Sequence, residues 1–149
     1  MTDQNLGKKV GTYTLIKHLG SGQFGDVYRG SSTKDNREWA VKIIAKKKLS
    51  STALQDMLKS EVAIMQKINH RNVMHLEEFL QSSTNYYLVM QVCNNGDVRK
   101  YMEKKGVKHL EEKEAVYFLQ QIALGFKELH KFKVFLKLKI LGHAQRFQS

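Results

Sequence analysis

The feature that most constrains the fold is a glycine-rich segment that separates two extended segments. Gly20, Gly22 and Gly25 follow the pattern G-x-G-x-x-G, directly after the apolar, β-branched residues 13–19. Such a loop opens a helix in dinucleotide-binding proteins, but residues 26–30 have no helical periodicity and run into a polar turn. We therefore expect a strand–loop–strand hairpin. Its backbone N–H groups can approach phosphates closely because glycine has no side chain; a glycine-rich hairpin without a ligand is the plainer alternative.

The spacing of apolar residues predicts a mainly antiparallel sheet with one packed helix. Residues 39–44 alternate, which puts Trp39, Val41 and Ile43 on one face. Residues 54–68 repeat at steps of three and four, which is typical of an amphipathic helix. Strands are predicted at 13–19, 27–29, 39–44, 73–79 and 86–92. Three strands, a helix and two strands do not alternate as in a parallel sheet, so the expected fold class is α+β.

The second part of the chain is predicted to be helical. Residues 97–105 form a short helix candidate that ends at Gly106. Residues 114–130 form a longer one, with apolar residues at helical spacing and an acidic lead-in. Residues 131–139 then alternate lysine with apolar residues. This segment lies on the long helix as a strand or stays solvated, and the sequence favours neither.

Composition limits the classes of function. The chain has 149 residues, of which 42% are hydrophobic, as in a globular domain. Its formal net charge of +11 suits nucleic acid, anionic membranes or phosphates. The lysines are spread, without aromatic interleaving, so we expect no specific nucleic-acid partner. No apolar run approaches the roughly 18 residues of a membrane span. The single cysteine, Cys93, excludes an intramolecular disulfide and favours a reducing, cytoplasmic location.

The glycine-rich segment and the strand after its hairpin resemble a known family. Residues 19–27 read LGSGQFGDV and are followed by Ala40-Val41-Lys42, which is similar to the start of the eukaryotic protein kinase domain. The resemblance runs from about residue 13 to about residue 134. Residues 136–138 (Leu-Lys-Leu) favour the serine/threonine class. Residues 45–76 and 94–97 resemble the calcium/calmodulin-kinase-like and Unc-51-like groups.

This resemblance implies an architecture of two parts. The fold would be a kinase small lobe, with a five-stranded antiparallel sheet and one helix, followed by the first helices of the large lobe. Residues 1–12 would be an N-terminal extension, 13–93 the small lobe with its connector, 94–134 the start of the large lobe, and 135–149 a divergent tail.

Two charged residues are the central site candidates. Lys42 matches the strand lysine that binds the α- and β-phosphates of ATP in this family, and Glu61 matches its helix partner. An independent argument supports the pair: Glu61 lies between Leu58 and Met65 on the apolar face of its helix, where a buried carboxylate needs a cation. The alternatives are that Lys42 is one more solvated lysine and that the helix is rotated to expose Glu61.

The resemblance also implies an adenine and ribose site. Val27 and Ala40 would enclose the adenine or serve only as strand core, and Met90 would lie behind it. Gln91 and Cys93 lie on the connector that hydrogen-bonds the adenine edge in this family. Asp97 would contact the ribose or simply cap the next helix. The predicted cofactor-binding residues are Leu19, Gly20, Ser21, Gly22, Gln23, Phe24, Gly25, Asp26, Val27, Ala40, Lys42, Glu61, Met90, Gln91, Cys93 and Asp97.

The resemblance fails where catalysis would occur. The long helix should lead into His-Arg-Asp and a later Asn, but residues 134–141 read VFLKLKIL, and Asp-Phe-Gly is absent. The missing groups hold Mg²⁺ and accept the substrate proton in this family. We therefore predict no catalytic residue and no metal ligand, although Mg²⁺ accompanies ATP in the family.

These observations lead to two functional hypotheses. The first is an incomplete, ATP-binding serine/threonine kinase domain whose phosphoryl transfer to protein is lost or impaired. The alternative is a catalytically dead, pseudokinase-like scaffold or regulator of another kinase. In either case the long helix lacks most of the large lobe that would bury it, so its apolar face is a candidate surface for a protein partner.

Overall fold

The computed structural model describes residues 3–22, 25–49, 51–94 and 96–132. The strands are β1 (Lys9–Val10), β2 (Tyr13–Gly22), β3 (Gly25–Ser32), β4 (Glu38–Ala45), β5 (Leu76–Gln81) and β6 (Asn85–Gln91). The helices are α1 (Thr52–Met65), α2 (Val98–Lys105) and α3 (Glu112–Lys131), and a 3₁₀ turn spans Lys46–Lys48. The α+β fold class is therefore confirmed. The tail at 135–149 lies outside the described residues, as does the alternating segment 131–139 from residue 133 onward.

The described strands form one antiparallel sheet in the order β1-β2-β3-β4-β6-β5. Five of them correspond to the predicted strands, and the short strand β1 is an addition that sequence periodicity did not reveal. Strand β1 pairs with β2 because the chain reverses at Gly11, whose φ of +57° is left-handed. A two-residue strand is too short to leave a period-2 signal.

The sheet is curled, and its far strands meet. The Tyr13 hydroxyl on β2 donates a hydrogen bond of 2.9 Å to the Glu78 carboxylate on β5. Burial and this nearby carboxylate both raise the pKa of Tyr13. Leu80 of β5 packs on the same side, against the cluster that includes Val10. Distant segments of the chain thus close one side of the sheet.

Each face of the sheet has its own hydrophobic core, as the alternation along residues 39–44 predicts. Trp39, Val41 and Ile43 lie in one cluster. Ile44 lies in the other cluster, which packs against α1. The residues that α1 contributes to this second cluster are Leu58, Val62 and Met65. The two faces therefore separate an α1 side from a curled side.

Helix α3 rests on the loop that follows α1. The Asn72 Nδ2 atom donates a hydrogen bond of 2.8 Å to the Gln121 Oε1 atom. Gly125 is the buried residue of α3, and a Cβ there would lie 2.8 Å from the Asn72 carbonyl oxygen. Because this loop and α3 approach each other at backbone distance, the sheet with α1 and the later helices are in direct contact. No helix in the described ranges has the length and apolarity that a membrane crossing requires.

Candidate functional site

The glycine-rich segment forms the predicted hairpin. Gly22 pairs with Gly25, and Gly20 pairs with Val27, in the antiparallel ladder of β2 and β3. No helix follows the glycines, which excludes the dinucleotide-type arrangement. Two predicted site residues at the tip, Gln23 and Phe24, lie outside the described residues.

Gly25 and Gly20 differ in how strictly their surroundings require a residue without a side chain. A Cβ at Gly25 would overlap the backbone carbonyl oxygen of Ile43 on β4, so this position requires glycine for packing alone. A Cβ at Gly20 would meet nothing within 4 Å. Since Gly20 is not required by its neighbours, it leaves the surface of β2 open to the close approach of a ligand.

A polar cluster next to the hairpin was not predicted from the sequence. The His18 Nε2 atom lies 3.3 Å from the Ser21 hydroxyl and 3.8 Å from the Asp26 carboxylate. The His18 ring also meets the Tyr28 ring edge to face, with centroids 5.1 Å apart. These contacts link β2 to β3 beside the predicted site residues Ser21 and Asp26. Their only sequence signal was polar side chains in a short hairpin.

The strand register brings four site candidates onto one face of the sheet. Val27 lies opposite Lys42, and Ala40 lies opposite Met90. Directly opposed residues in an antiparallel pair point to the same face, and Ala40 and Lys42 are two residues apart on β4. Ala40 and Met90 are buried, and Val27 is half-buried. The half-buried Leu19 lies on β2, next to Gly20.

Lys42 and Glu61 are both buried in this region. Lys42 is 5% exposed and Glu61 is 6% exposed. Burial lowers the pKa of Lys42 to about 8, while the Glu61 carboxylate acts in the opposite direction and favours the charged lysine. The rotated helix that would expose Glu61 is therefore excluded, and so is a solvated Lys42. The two groups are electrostatically coupled, with desolvation the larger effect.

The connector leads from β6 to α2. Gln91 ends β6 and is exposed, and Cys93 is half-buried. Asp97 caps α2: its side chain accepts a hydrogen bond of 2.8 Å from the Lys100 backbone N–H. The capping role considered for Asp97 is thus present, and the ribose contact stays a prediction.

The donor set of the site does not favour a metal ion. Within the described ranges, no group of three or more His, Cys, Asp or Glu side chains could hold one. Glu61 is coupled to Lys42, and the Asp97 carboxylate is engaged in the α2 cap. A buried cation and an open glycine hairpin fit the phosphates of a nucleotide, whereas these residues do not fit Mg²⁺.

Comparison with known proteins agrees with this geometry. The sequence profile of the protein kinase domain matches residues 13–137. Serine/threonine-protein kinase 33 of Mus musculus is 34% identical over 118 residues, which cover 79% of this chain and 23% of that protein. Serine/threonine-protein kinase atg1 of Dictyostelium discoideum is 34% identical over 132 residues, which cover 85% of this chain and 20% of that protein.

A third relative is also a serine/threonine kinase. Serine/threonine-protein kinase ULK3 of Homo sapiens is 35% identical over 120 residues, which cover 80% of this chain and 25% of that protein. The chain thus spans about a fifth to a quarter of the length of these relatives. The profile match extends from β2 past the end of α3 and includes the glycine hairpin, Lys42 and Glu61. This chain belongs to the protein kinase domain family, and these relatives are serine/threonine kinases.

Proposed function

We propose that this chain binds ATP on the sheet face shared by Val27, Ala40, Lys42 and Met90. The glycine hairpin would cover the phosphates with backbone N–H groups, and Lys42 would contact them. The base would lie against Val27 and Ala40, with its edge at the connector of Gln91 and Cys93 and with Met90 behind it. A small lobe at 13–93, a large-lobe start at 94–134 and a cytoplasmic location belong to this proposal, the last supported by the single cysteine.

The observation that carries the proposal is the buried Lys42. Burying an ammonium is costly unless something offsets the lost hydration, and the pKa of Lys42 is lowered to about 8 even with Glu61 nearby. An arriving phosphate adds negative charge next to this cation in a poorly hydrated place, where electrostatic attraction is stronger than in water. Lys42 is thus suited to an anionic ligand, and Glu61 holds it in position.

We further propose that phosphoryl transfer to protein serine or threonine is lost or strongly impaired in this chain by itself. Transfer depends on positioned reactants and on neutralised charge. His-Arg-Asp and Asp-Phe-Gly are absent from the sequence, Glu61 is coupled to Lys42, and Asp97 caps α2. Within the described residues, the glycine hairpin and Lys42 therefore have no group beside them that matches the family's proton acceptor or metal ligands.

The test is thermal unfolding with ATP, with and without Mg²⁺. ATP at about 100 times its Kd should stabilise the wild type by about 2.7 kcal/mol, and Mg²⁺ should add little. Lys42→Ala should abolish the ATP-dependent shift in Tm, measured against the same variant without ligand. Lys47→Ala is the matched control, because Lys47 is exposed after β4 and should keep the full shift.

Two results would contradict the proposal. If ATP leaves the wild-type Tm unchanged, nucleotide binding is wrong for this chain. If Mg²⁺ increases the affinity for ATP several-fold, the chain has metal ligands other than the residues considered for this site.

A second candidate function is a non-catalytic regulator of another kinase. The observation that favours it is the apolar surface of α3: Val116, Leu119 and Phe126 are exposed there at 44%, 63% and 51%. Large exposed apolar surfaces are often interaction sites. Such a regulator does not need ATP, so the same Tm experiment discriminates between the two candidates.

A further inference from the structure

Arg29 joins the sheet to the connector. Its Nη1 atom donates a hydrogen bond of 2.8 Å to the Glu38 carboxylate on β4. Its Nη2 atom donates a hydrogen bond of 3.4 Å to the Asn94 side-chain oxygen, one residue after Cys93. The two contacts use separate nitrogens of one planar guanidinium, so the group bridges β4 and the connector at the same time.

The position of Arg29 relates this bridge to the proposed base site. Arg29 lies opposite Ala40 in the β3–β4 ladder and two residues from Val27 on β3. Its side chain is therefore on the same face as Val27 and Ala40. On this face, Val27 lies opposite Lys42, whereas Arg29 lies farther from Lys42. Arg29 is therefore near the end of β6 from which the connector begins.

The bridge is suited to positioning rather than to overall stability. Arg29 and Glu38 side chains are 28% and 49% exposed, and ion pairs at such exposure add little to folding. The Nε atom of Arg29 is nevertheless buried, so the stem of the side chain is enclosed while its far end reaches the connector. A planar guanidinium at the end of an enclosed aliphatic chain fixes the distance between β4 and the connector.

We propose that Arg29 is a positioning residue: it ties the connector at Asn94 to β3 and β4 and thereby sets the width of the adenine slot between Ala40 and the connector. The second half of this inference rests on the proposed ATP binding. The first half, the tie itself, can be measured without any nucleotide.

The thiol of Cys93 reports on the tie. It is the single cysteine of the chain, half-buried and adjacent to Asn94, so a neutral reagent such as 4,4′-dithiodipyridine reads this position alone. Arg29→Met keeps an unbranched apolar side chain but removes the guanidinium. We expect it to accelerate the Cys93 reaction about three- to tenfold, which corresponds to the loss of one typical hydrogen bond.

Two further variants sharpen this measurement. Asn94→Ala should give the same acceleration, and the double variant should add little to either single one, as expected for partners in one contact. Arg37→Met is the matched control, since Arg37 belongs to the same hairpin but lies over the Trp39 ring, 5.8 Å from its centroid. It should leave the rate unchanged.

Ligand binding tests the consequence for the slot. Adenosine carries the base without phosphates, and tripolyphosphate carries phosphates without the base. Arg29→Met should weaken ATP and adenosine by the same factor, about three- to tenfold, and leave tripolyphosphate unchanged. A uniform loss for all three ligands would indicate lost charge and would overturn the slot-setting role.

The outcomes separate this inference from the proposed function. One outcome is that the wild type binds no ATP, while Arg29→Met and Asn94→Ala still accelerate the Cys93 reaction non-additively. The proposed function and the slot-setting role would then be wrong, and the tie would be confirmed. If ATP binds and the Cys93 rate is unchanged in Arg29→Met, the tie is wrong and the proposed function is unaffected. Equal acceleration in Arg37→Met would also overturn the tie.

Discussion

The charge state of Lys42 depends both on its position in the sequence of β4 and on the surroundings that the fold gives it. Its place on the α1-facing side of β4 follows from alternation with Ala40 and Ile44, and its burial follows from the helix that covers that side. The depressed pKa is the consequence, because desolvation outweighs the attraction of Glu61. A lysine of this kind changes charge in a pH range where ordinary lysines remain protonated.

ATP affinity should therefore fall as the pH rises through about 8. The free protein carries the proton on Lys42 below its pKa of about 8, and only the charged form attracts phosphate. Between about pH 7.5 and about pH 9.5 we expect the affinity to drop about 25-fold, whereas a lysine with an ordinary pKa would show almost no change. Isothermal titration calorimetry across this range measures the effect.

Lys42→Arg provides the control for this pH dependence. A guanidinium keeps its charge throughout the range, so whatever affinity this variant retains should be independent of pH. A pH-independent affinity in the wild type would show that the lysine in the folded protein titrates at its ordinary pKa or does not contact the ligand.

At the scale of the elements, the ends of the helices follow local chemistry. Helix α1 begins after Ser51, whose side chain accepts a hydrogen bond of 3.3 Å from the Leu54 N–H. Helix α2 begins after Asp97 and ends at Gly106, whose φ of +70° is left-handed. These are the residue types that helix boundaries favour, which is why both ends of α2 were predictable.

Asp97→Ala should loosen the first turn of α2. Loss of an N-cap costs about 1 kcal/mol, so the Lys100 amide, which Asp97 caps, should exchange with deuterium several-fold faster. Asp97→Ser restores a capping oxygen and should restore protection. If Asp97→Ser is fully protected but binds ATP more weakly than wild type, Asp97 also contacts the ribose; unchanged exchange in Asp97→Ala would contradict the capping role.

Gly125→Ala should weaken the contact between α3 and the loop after α1. Alanine favours a helix by about 1 kcal/mol over glycine, but its Cβ would lie 2.8 Å from the Asn72 carbonyl oxygen. We expect a net loss of about 1–2 kcal/mol in the free energy of unfolding, as for other overpacked contacts. Urea denaturation measures it, with Lys127→Ala on the exposed side of α3 as control. A gain in stability would mean that α3 shifts freely on this loop.

For the whole molecule, the distribution of burial is uneven. The sheet and α1 hold the two hydrophobic clusters, whereas in α2 and α3 the buried residue is Gly125. Helix α3 contacts the rest through one side and leaves Leu119 and Phe126 exposed on the other. The part of the chain that the structure describes thus combines a well-buried small lobe with a large-lobe helix that is only partly covered.

Replacing the exposed apolar residues of α3 should change association and not folding. For Leu119→Gln with Phe126→Gln we expect the free energy of unfolding to stay within about 0.5 kcal/mol and self-association in sedimentation velocity to decrease. Phe118→Gln is the contrasting variant: Phe118 is half-buried, and its ring lies 5.6 Å from that of Tyr101, so its loss should destabilise. A destabilised double variant would show that this face packs against the chain itself.

The sequence by itself determined the features that depend on neighbours along the chain. The period of 2 along β4 and the period near 3.6 along α1 predicted which side of each element is buried, and thus the placement of Lys42 and Glu61. The glycine spacing predicted the hairpin, and the cap residues predicted α2. Such signals are local because backbone geometry repeats within a few residues.

Only the tertiary structure decided which distant segments meet. The pairing of β1, the Tyr13–Glu78 bond across the curled sheet and the bridge from Arg29 to Asn94 join residues that leave no periodic signal. The need for glycine at residue 125 likewise arises from a loop about fifty positions earlier in the chain. Register, curl and docking depend on side-chain packing between elements, and that packing exists only once the chain has folded.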